Sequence, residues 1–210
     1  MSEAPLGVAG FAAATGVSRE TLERLEAYAA LLVAWSARIN LVGRATLDDL
    51  WRRHFLDSAQ LLPLIPPGAR SLVDLGSGAG FPALVLAILG VPGVELVEAD
   101  SRKVAFLREA ARIAAAEITI RGCRVEAVPP HTVDVVTARA CAPLDGLLAL
   151  GERFIGPHTT CLFLKGARAE EELTAAGKAW TMTVSRHSSR ADPGGSVLSL
   201  QQVVRGPRRF

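Results

Sequence analysis

Leu72-Val73-Asp74-Leu75-Gly76-Ser77-Gly78-Ala79-Gly80-Phe81-Pro82 joins an apolar run, an acid near its end and three alternating glycines. Glycine turns the chain sharply and lets a ligand approach the main chain without meeting a side chain. Gly76, Ser77, Gly78 and Phe81 are therefore candidates to line a cofactor, with Asp74 suited to an ammonium partner. Glu98 closes the next apolar run, Val94-Glu95-Leu96-Val97. A carboxylate at the end of a second strand can accept hydrogen bonds from both hydroxyls of a ribose, and Asp100 competes for that part. A third charged group, Arg139, closes Val133-Asp134-Val135-Val136-Thr137-Ala138 and offers a fork of donors for a carboxylate or phosphate. An ion pair of Arg139 with Asp134 or Asp145, and of Glu98 with Arg102 or Lys103, are the purely structural alternatives. Together these residues describe a nucleotide-type cofactor site.

A dinucleotide fingerprint would place a third glycine three residues after Gly78, where Phe81 stands. The run instead resembles the D-x-G-x-G-x-G signature of class I S-adenosylmethionine-dependent methyltransferases. Their cofactor has no pyrophosphate and presents a zwitterionic amino acid.

The elements that position these residues follow from periodicity. Residues 18–39 read as an amphipathic helix with Ser18 as its cap, Glu20 in its first turn and Leu22, Leu25, Ala29 and Leu32 on one face. A second helix is expected over 47–62, turning Leu47, Leu50, Trp51, Phe55 and Leu62 inward. From residue 71 apolar strands alternate with helical stretches. Strands are expected at 71–75, 94–98, 118–121, 133–138 and 159–164, and helices at 81–90, 102–116, 143–154 and 168–178. That alternation predicts a mostly parallel sheet covered on both faces. Final strands at 180–187 and 196–203, joined by the turn-rich segment Ser188 to Gly195, predict an antiparallel pair. The expected fold is α/β, Rossmann-like, with a helical extension (1–68) packed on a core domain (69–210). Ligands in open sheets of this kind bind beyond the carboxyl ends of the strands.

Composition bounds the rest. The 210 residues, half of them hydrophobic, suffice for one domain and an extension. No apolar run is long enough to span a bilayer, and no basic stretch followed by an apolar core marks a secretion signal. A cytoplasmic protein without membrane contact is expected, and a monomer. Cys123, Cys141 and Cys161 show no paired spacing and are expected to be reduced thiols. The four histidines form no metal-ligand cluster, so no metal is expected. A net charge of +2 does not identify a nucleic-acid binder. Local basic segments, Arg52-Arg53-His54 and Arg205 with Arg208 and Arg209, could meet phosphates; two solvated basic segments, the second a frayed tail, are the alternative.

The order of motifs is more specific than any one of them. Trp35 and Asn40-Leu41 are followed by Arg53-His54-Phe55-Leu56-Asp57-Ser58, the glycine run, Arg124-Val125-Glu126, Arg139-Ala140 and Leu164-Lys165-Gly166. In that order the chain resembles the bacterial small-subunit ribosomal RNA guanine-N7 methyltransferases, the glucose-inhibited division protein B family. The resemblance implies S-adenosylmethionine as cofactor and 16S ribosomal RNA, or the small ribosomal subunit, as partner. It implies that Gly76 and Phe81 line the methionine and sugar region, Glu98 takes the ribose, Val125 and Glu126 border the adenine, and Arg139 closes the site. Asn40, Arg53, His54 and Lys165 are then the candidates for RNA contact, and Arg139, Lys165 and His54 for positioning. Guanine N7 has an in-plane lone pair and no proton, so the implied reaction needs no general base. The chain accordingly has neither the Asn-Pro-Pro-aromatic motif of amino-nitrogen methyltransferases nor a Pro-Cys nucleophile. A methyltransferase for a small molecule or a protein, and a noncatalytic cofactor-binding module, are the alternative expectations.

Overall fold

The computed structural model describes residues 4–139 and 141–206. Ala140 of the Arg139-Ala140 motif, and Arg208 and Arg209 of the C-terminal basic segment, lie outside the described residues. Seven strands, β1 (Leu72–Leu75), β2 (Val94–Val97), β3 (Ile118–Arg121), β4 (Val135–Arg139), β5 (Thr160–Lys165), β6 (Trp180–Ser188) and β7 (Ser196–Arg205), form one sheet. Its order is β3-β2-β1-β4-β5-β7-β6. The first five strands run parallel, and β7 is antiparallel to both β5 and β6. Every residue of β1 and β5 is buried, as expected for strands covered on both faces.

Side chains alternate between the two faces, and each face has its own apolar cluster. Leu72, Leu96, Val135 and Leu162 join the cluster that contains the N-terminal extension. Val73, Val97, Val136 and Phe163 join the opposite one, with Leu144, Leu147 and Leu148 of the helix α6 (Leu144–Gly151). By the same alternation Asp74 and Thr137, neighbours in register across β1 and β4, turn towards the extension.

That extension begins with α1 (Gly7–Thr15) and α2 (Arg19–Ser36). The first of these is an element that the sequence pattern did not suggest, since its alanines and glycines carry little periodicity. Ser18 caps α2 as expected, accepting from the Thr21 amide at 3.2 Å. Leu25, Ala29 and Leu32 are buried with Tyr28, while Leu22 is only partly covered. The expected continuous helix over 47–62 is instead a 3-10 segment (Arg44–Asp49), a widened π-helical segment (Trp51–Leu56) and the short α3 (Asp57–Ala59). π-helical turns are rare and recur at functional sites. This one brings the Arg53 carbonyl and the side chains of His54 and Asp57 to a single target, described below.

The helix α4 (Ala83–Ile88) follows the glycine loop and is buried throughout. It packs with α5 (Ser101–Ile113) and the extension into one cluster. At its centre is Tyr28, whose ring lies 5.4 Å from those of Phe55 and Phe81 and 6.2 Å from that of Phe106. The Tyr28 hydroxyl donates to the carbonyl of Ala79 in the glycine loop. Burial raises its pKa well above the ordinary phenol value, so it remains a donor. The extension thus holds the loop by a buried hydrogen bond as well as by apolar packing.

Replacing Tyr28 by Phe keeps the ring but leaves the Ala79 carbonyl without its donor. Such a loss costs about 1–3 kcal/mol. Urea unfolding should show a lower midpoint of that size with an unchanged slope; an unchanged midpoint would show that the hydroxyl contributes nothing.

Candidate functional site

A cavity of about 760 Å³ opens at the carboxyl ends of the parallel strands, large enough for a small molecule, since such sites span roughly 300–1,000 Å³. All five strand ends contribute: Gly76 to Gly78 after β1, Glu98 after β2, Cys123 to Glu126 after β3, Arg139 and Cys141 at β4, and Lys165 and Gly166 at β5. Leu41 to Gly43, Thr46, Arg53, His54 and Asp57 of the extension supply a further wall.

The glycine loop forms one end. Gly76 has a φ of 64°, and a Cβ there would come within 2.5 Å of the Cys141 sulfur. Gly78, at φ 58°, faces the cavity, and a Cβ there would meet nothing nearer than the Gly76 carbonyl oxygen at 3.9 Å. The Glu98 carboxylate fixes this loop: Oε2 accepts from the Gly78 amide at 2.8 Å and Oε1 from the Asp100 amide at 2.7 Å. Each oxygen keeps a lone pair for a ligand hydroxyl. Glu98 does not pair with Arg102 or Lys103. Asp100 instead caps α5, accepting from the amides of Arg102 and Lys103, and is not on the cavity wall. Ser77 and Val125 are buried on the wall, and Glu126 is exposed at its rim.

Asp74 differs from its expected place. It is wholly buried and is not among the residues of the cavity wall. The alternation along β1 sends its side chain under the loop, where Oδ1 accepts from the Thr137 hydroxyl at 2.6 Å and Oδ2 has no partner among the described residues. Burial raises its pKa to about 7, against the lowering effect of Thr137 and Ser77.

Arg139 organises the other end. Its Nη1 donates to the Arg53 carbonyl at 3.2 Å and to His54 Nδ1 at 2.8 Å, and lies 3.5 Å from Asp57 Oδ2. Its guanidinium lies over the Phe81 ring, 4.7 Å from the centroid. Neither Asp134 nor Asp145 is its partner; Asp134 accepts from the Arg70 and Ser71 amides. Burial, with the positive charges of Arg139 and Arg53, lowers the His54 pKa to about 3. The ring is therefore neutral, Nδ1 accepts from Arg139, and Nε2–H donates to the Thr46 hydroxyl at 2.7 Å. Thr46 passes its own proton to the Gly43 carbonyl at 2.6 Å. Asp57 is pushed the other way, its pKa raised by burial against the opposing effect of Arg139.

The remaining candidates divide. Arg53 lines the cavity and pairs with Asp192 at 3.2 Å. Lys165 lines it too, its Nζ 2.6 Å from Glu172 and donating to the Ala142 carbonyl at 3.0 Å. Asn40 is exposed just before the wall residues Leu41 and Val42 and is not itself on the wall. Sequence reasoning missed Thr46, Ser189 and Asp192 as cavity residues. The last two belong to the turn between β6 and β7, which returns over the extension. There the Ser189 hydroxyl stands 3.5 Å from Asp57 Oδ1, and the Arg190 amide donates to Gln60 at 2.8 Å. A turn signal marks where the chain reverses, not where the turn lands. The three cysteines are free thiols, and among the described residues no cluster of metal-ligating side chains occurs.

The raised pKa of Asp74 fixes a sign. Between the ordinary carboxyl value of 3.8 and about 7 the folded protein binds a proton that the unfolded chain has released, so this group lowers stability as pH rises through that window. His54 acts oppositely, its neutrality costing stability as pH falls from 6.5 towards 3. In Asp74→Asn the stability relative to the parent should therefore grow, by on the order of a few kcal/mol, from pH 4 to 7 and then level off. Urea midpoints across pH test this; a difference constant with pH would contradict it.

Solved structures share the fold. The ribosomal protein L11 methylase from Lactobacillus delbrueckii subsp. bulgaricus aligns with a TM-score of 0.58 at 14% identity, over 70% of this chain and 76% of that one. TYW2 from M. jannaschii, in complex with AdoMet, aligns with a TM-score of 0.56 at 15% identity, over 80% of each chain. Sequence relatives are much nearer. The ribosomal RNA small subunit methyltransferase G of Paramagnetospirillum magneticum is 62% identical, over 91% of this chain and 94% of the relative. That of Rhodospirillum rubrum is 59% identical, over 93% and 97%. The profile of the rRNA small subunit methyltransferase G family matches residues 21–193, from within α2 through the glycine loop to the turn after β6: the chain belongs to this family.

Proposed function

We propose that this protein transfers the methyl group of S-adenosylmethionine to N7 of a guanine in the 16S ribosomal RNA of the small subunit. The observation that carries this reading is the single cavity wall in which the Glu98-bound glycine loop meets the Arg139 bracket of the extension. Family membership supplies the class of acceptor.

The residues present fit the cofactor. The loop carries no side chain at Gly76 or Gly78, and Glu98 retains acceptor capacity for ribose hydroxyls on the wall beside it. Val125 and Glu126 are read as bordering the adenine, and Gly76, Ser77 and Phe81 as lining the sugar and methionine portion; all five are on the cavity wall. Arg139 meets the Arg53 carbonyl, His54 and Asp57 through Nη1, and its other guanidinium nitrogens are read as donors for a carboxylate or for the guanine. When bound, S-adenosylmethionine supplies a methyl group activated by its sulfonium.

The chemistry asks for alignment. The N7 lone pair forms the new bond to the methyl carbon while the carbon–sulfur bond breaks and its electrons return to sulfur. N7 bears no proton, so no base is needed, and His54 offers none: both its nitrogens are engaged and its pKa is near 3. His54 is a positioning residue that holds Arg139. Holding nucleophile and methyl carbon in a near-attack geometry is a recognised source of rate. Arg53, on the wall and partly exposed, is placed to meet RNA phosphate, exchanging Asp192 for it. Lys165 acts by fixing the link after β4 through the Ala142 carbonyl.

Labelled methyl from S-adenosylmethionine should enter small-subunit RNA taken from cells lacking this protein, and nucleoside analysis should yield N7-methylguanosine at one position. Label in another nucleoside would contradict the proposed acceptor atom; no label in naked RNA or whole subunits would contradict the acceptor class. In Glu98→Gln, cofactor binding measured by calorimetry should weaken about tenfold, a loss of ~1.4 kcal/mol. Unaltered affinity would remove Glu98 from the cofactor site.

A further inference from the structure

Beside the main cavity lies a second, of about 570 Å³, formed by the links that follow β4 and β5. The two share Cys141, Leu164, Lys165 and Gly166 as common walls. The second cavity is braced. Glu172 of the helix α7 (Ala169–Ala176) accepts from the Leu144 amide at 2.8 Å and holds Lys165 at 2.6 Å, and Lys165 in turn holds the Ala142 carbonyl. Its shape therefore rests on three elements tied through one carboxylate.

That bracing also sets the charge. Glu172 neutralises Lys165, and Arg53 and Arg139 are engaged with Asp192 and Asp57. Arg168, exposed on the wall of the second cavity, has no ion pair or side-chain hydrogen bond among the described residues. Lys103, in the first turn of α5, and Arg124, on the link after β3, are likewise unpaired among the described residues but line the main cavity and not the second. The second cavity is therefore lined by the exposed Arg168 together with Ala142, Pro143 and Leu164. A bare phosphate would leave most of that volume unfilled. A nucleotide matches it, with an apolar-faced base and a single negative phosphodiester.

We propose that the second cavity receives a nucleotide next to the target guanine, its phosphodiester on Arg168 and its base against Ala142, Pro143 and Leu164. The proposal rests on the reading of the protein as a ribosomal RNA methyltransferase. It assigns the acceptor strand a direction across the protein, from the methyl-transfer cavity over Lys165 to the mouth of α7.

The test compares the unaltered protein with Arg168→Ala, Arg168→Lys and Ala167→Trp in methyl transfer to small-subunit RNA over a range of salt concentrations. Arg168→Ala should raise KM about tenfold at low salt with kcat little changed, and lower the slope of log KM against log salt by about 0.7–1, the value of one phosphate contact. Arg168→Lys should restore the slope. Ala167→Trp fills the cavity from its rim and should lower kcat/KM by more than about tenfold, and calorimetry should show the cofactor affinity of all three variants unchanged. Unchanged KM and slope in Arg168→Ala, or a changed cofactor affinity in any variant, would overturn the proposal alone. Failure of the unaltered protein to methylate either naked RNA or subunits would overturn the functional reading and this proposal together.

Discussion

A cation that is largely removed from water must be matched by acceptors, because stranding it costs several kcal/mol. Arg139 is that cation here, its side chain only 18% exposed at the end of β4. Burial lowers its pKa, and Asp57 acts in the opposite sense. Its protein partners, the Arg53 carbonyl, His54 and Asp57, all come from one short segment of the extension. The extension therefore cannot leave the sheet without leaving this charge unmatched. The widened turn at Trp51–Leu56 is the local backbone form in which all three partners converge.

The same bracket sets the chemistry of the cavity. A neutral His54 is the only form that can accept from Arg139, and the Arg139 and Arg53 charges are among the causes that keep it neutral. Phe81 connects this end of the site to the other, since it stacks on His54 at 5.0 Å, lies under Arg139 and touches Tyr28. Tyr28 holds the glycine loop from one side and Glu98 holds it from the other. Loop, arginine and extension thus form one connected unit, so changes in the N-terminal helices are felt where a cofactor would lie.

Much of this was legible in the sequence for identifiable reasons. Parallel strands covered on both faces read as unbroken apolar runs, so β1, β4 and β5 lie close to where those runs put them. The glycine loop was visible because a left-handed φ at Gly76 and Gly78 leaves few other residues acceptable. What failed was information carried by long-range contacts. The pattern of Leu50, Trp51 and Phe55 suits an α-helix equally well, so periodicity could not mark the π-helical form that accompanies the Arg139 contacts. Asp74 read as a ligand because its place at a strand end was visible while its facing was not; register with Thr137 turned it under the loop. Thr46 and Asp192 had no motif at all, and reach the cavity through His54 and Arg53.

A crystal structure with S-adenosylhomocysteine bound is the most direct test of this arrangement. The account predicts ribose hydroxyls on the Glu98 carboxylate and Arg139 still bonded to His54 and the Arg53 carbonyl, with a free guanidinium edge facing the ligand. A ribose held elsewhere, or an Arg139 that has released the extension to reach the ligand, would contradict it.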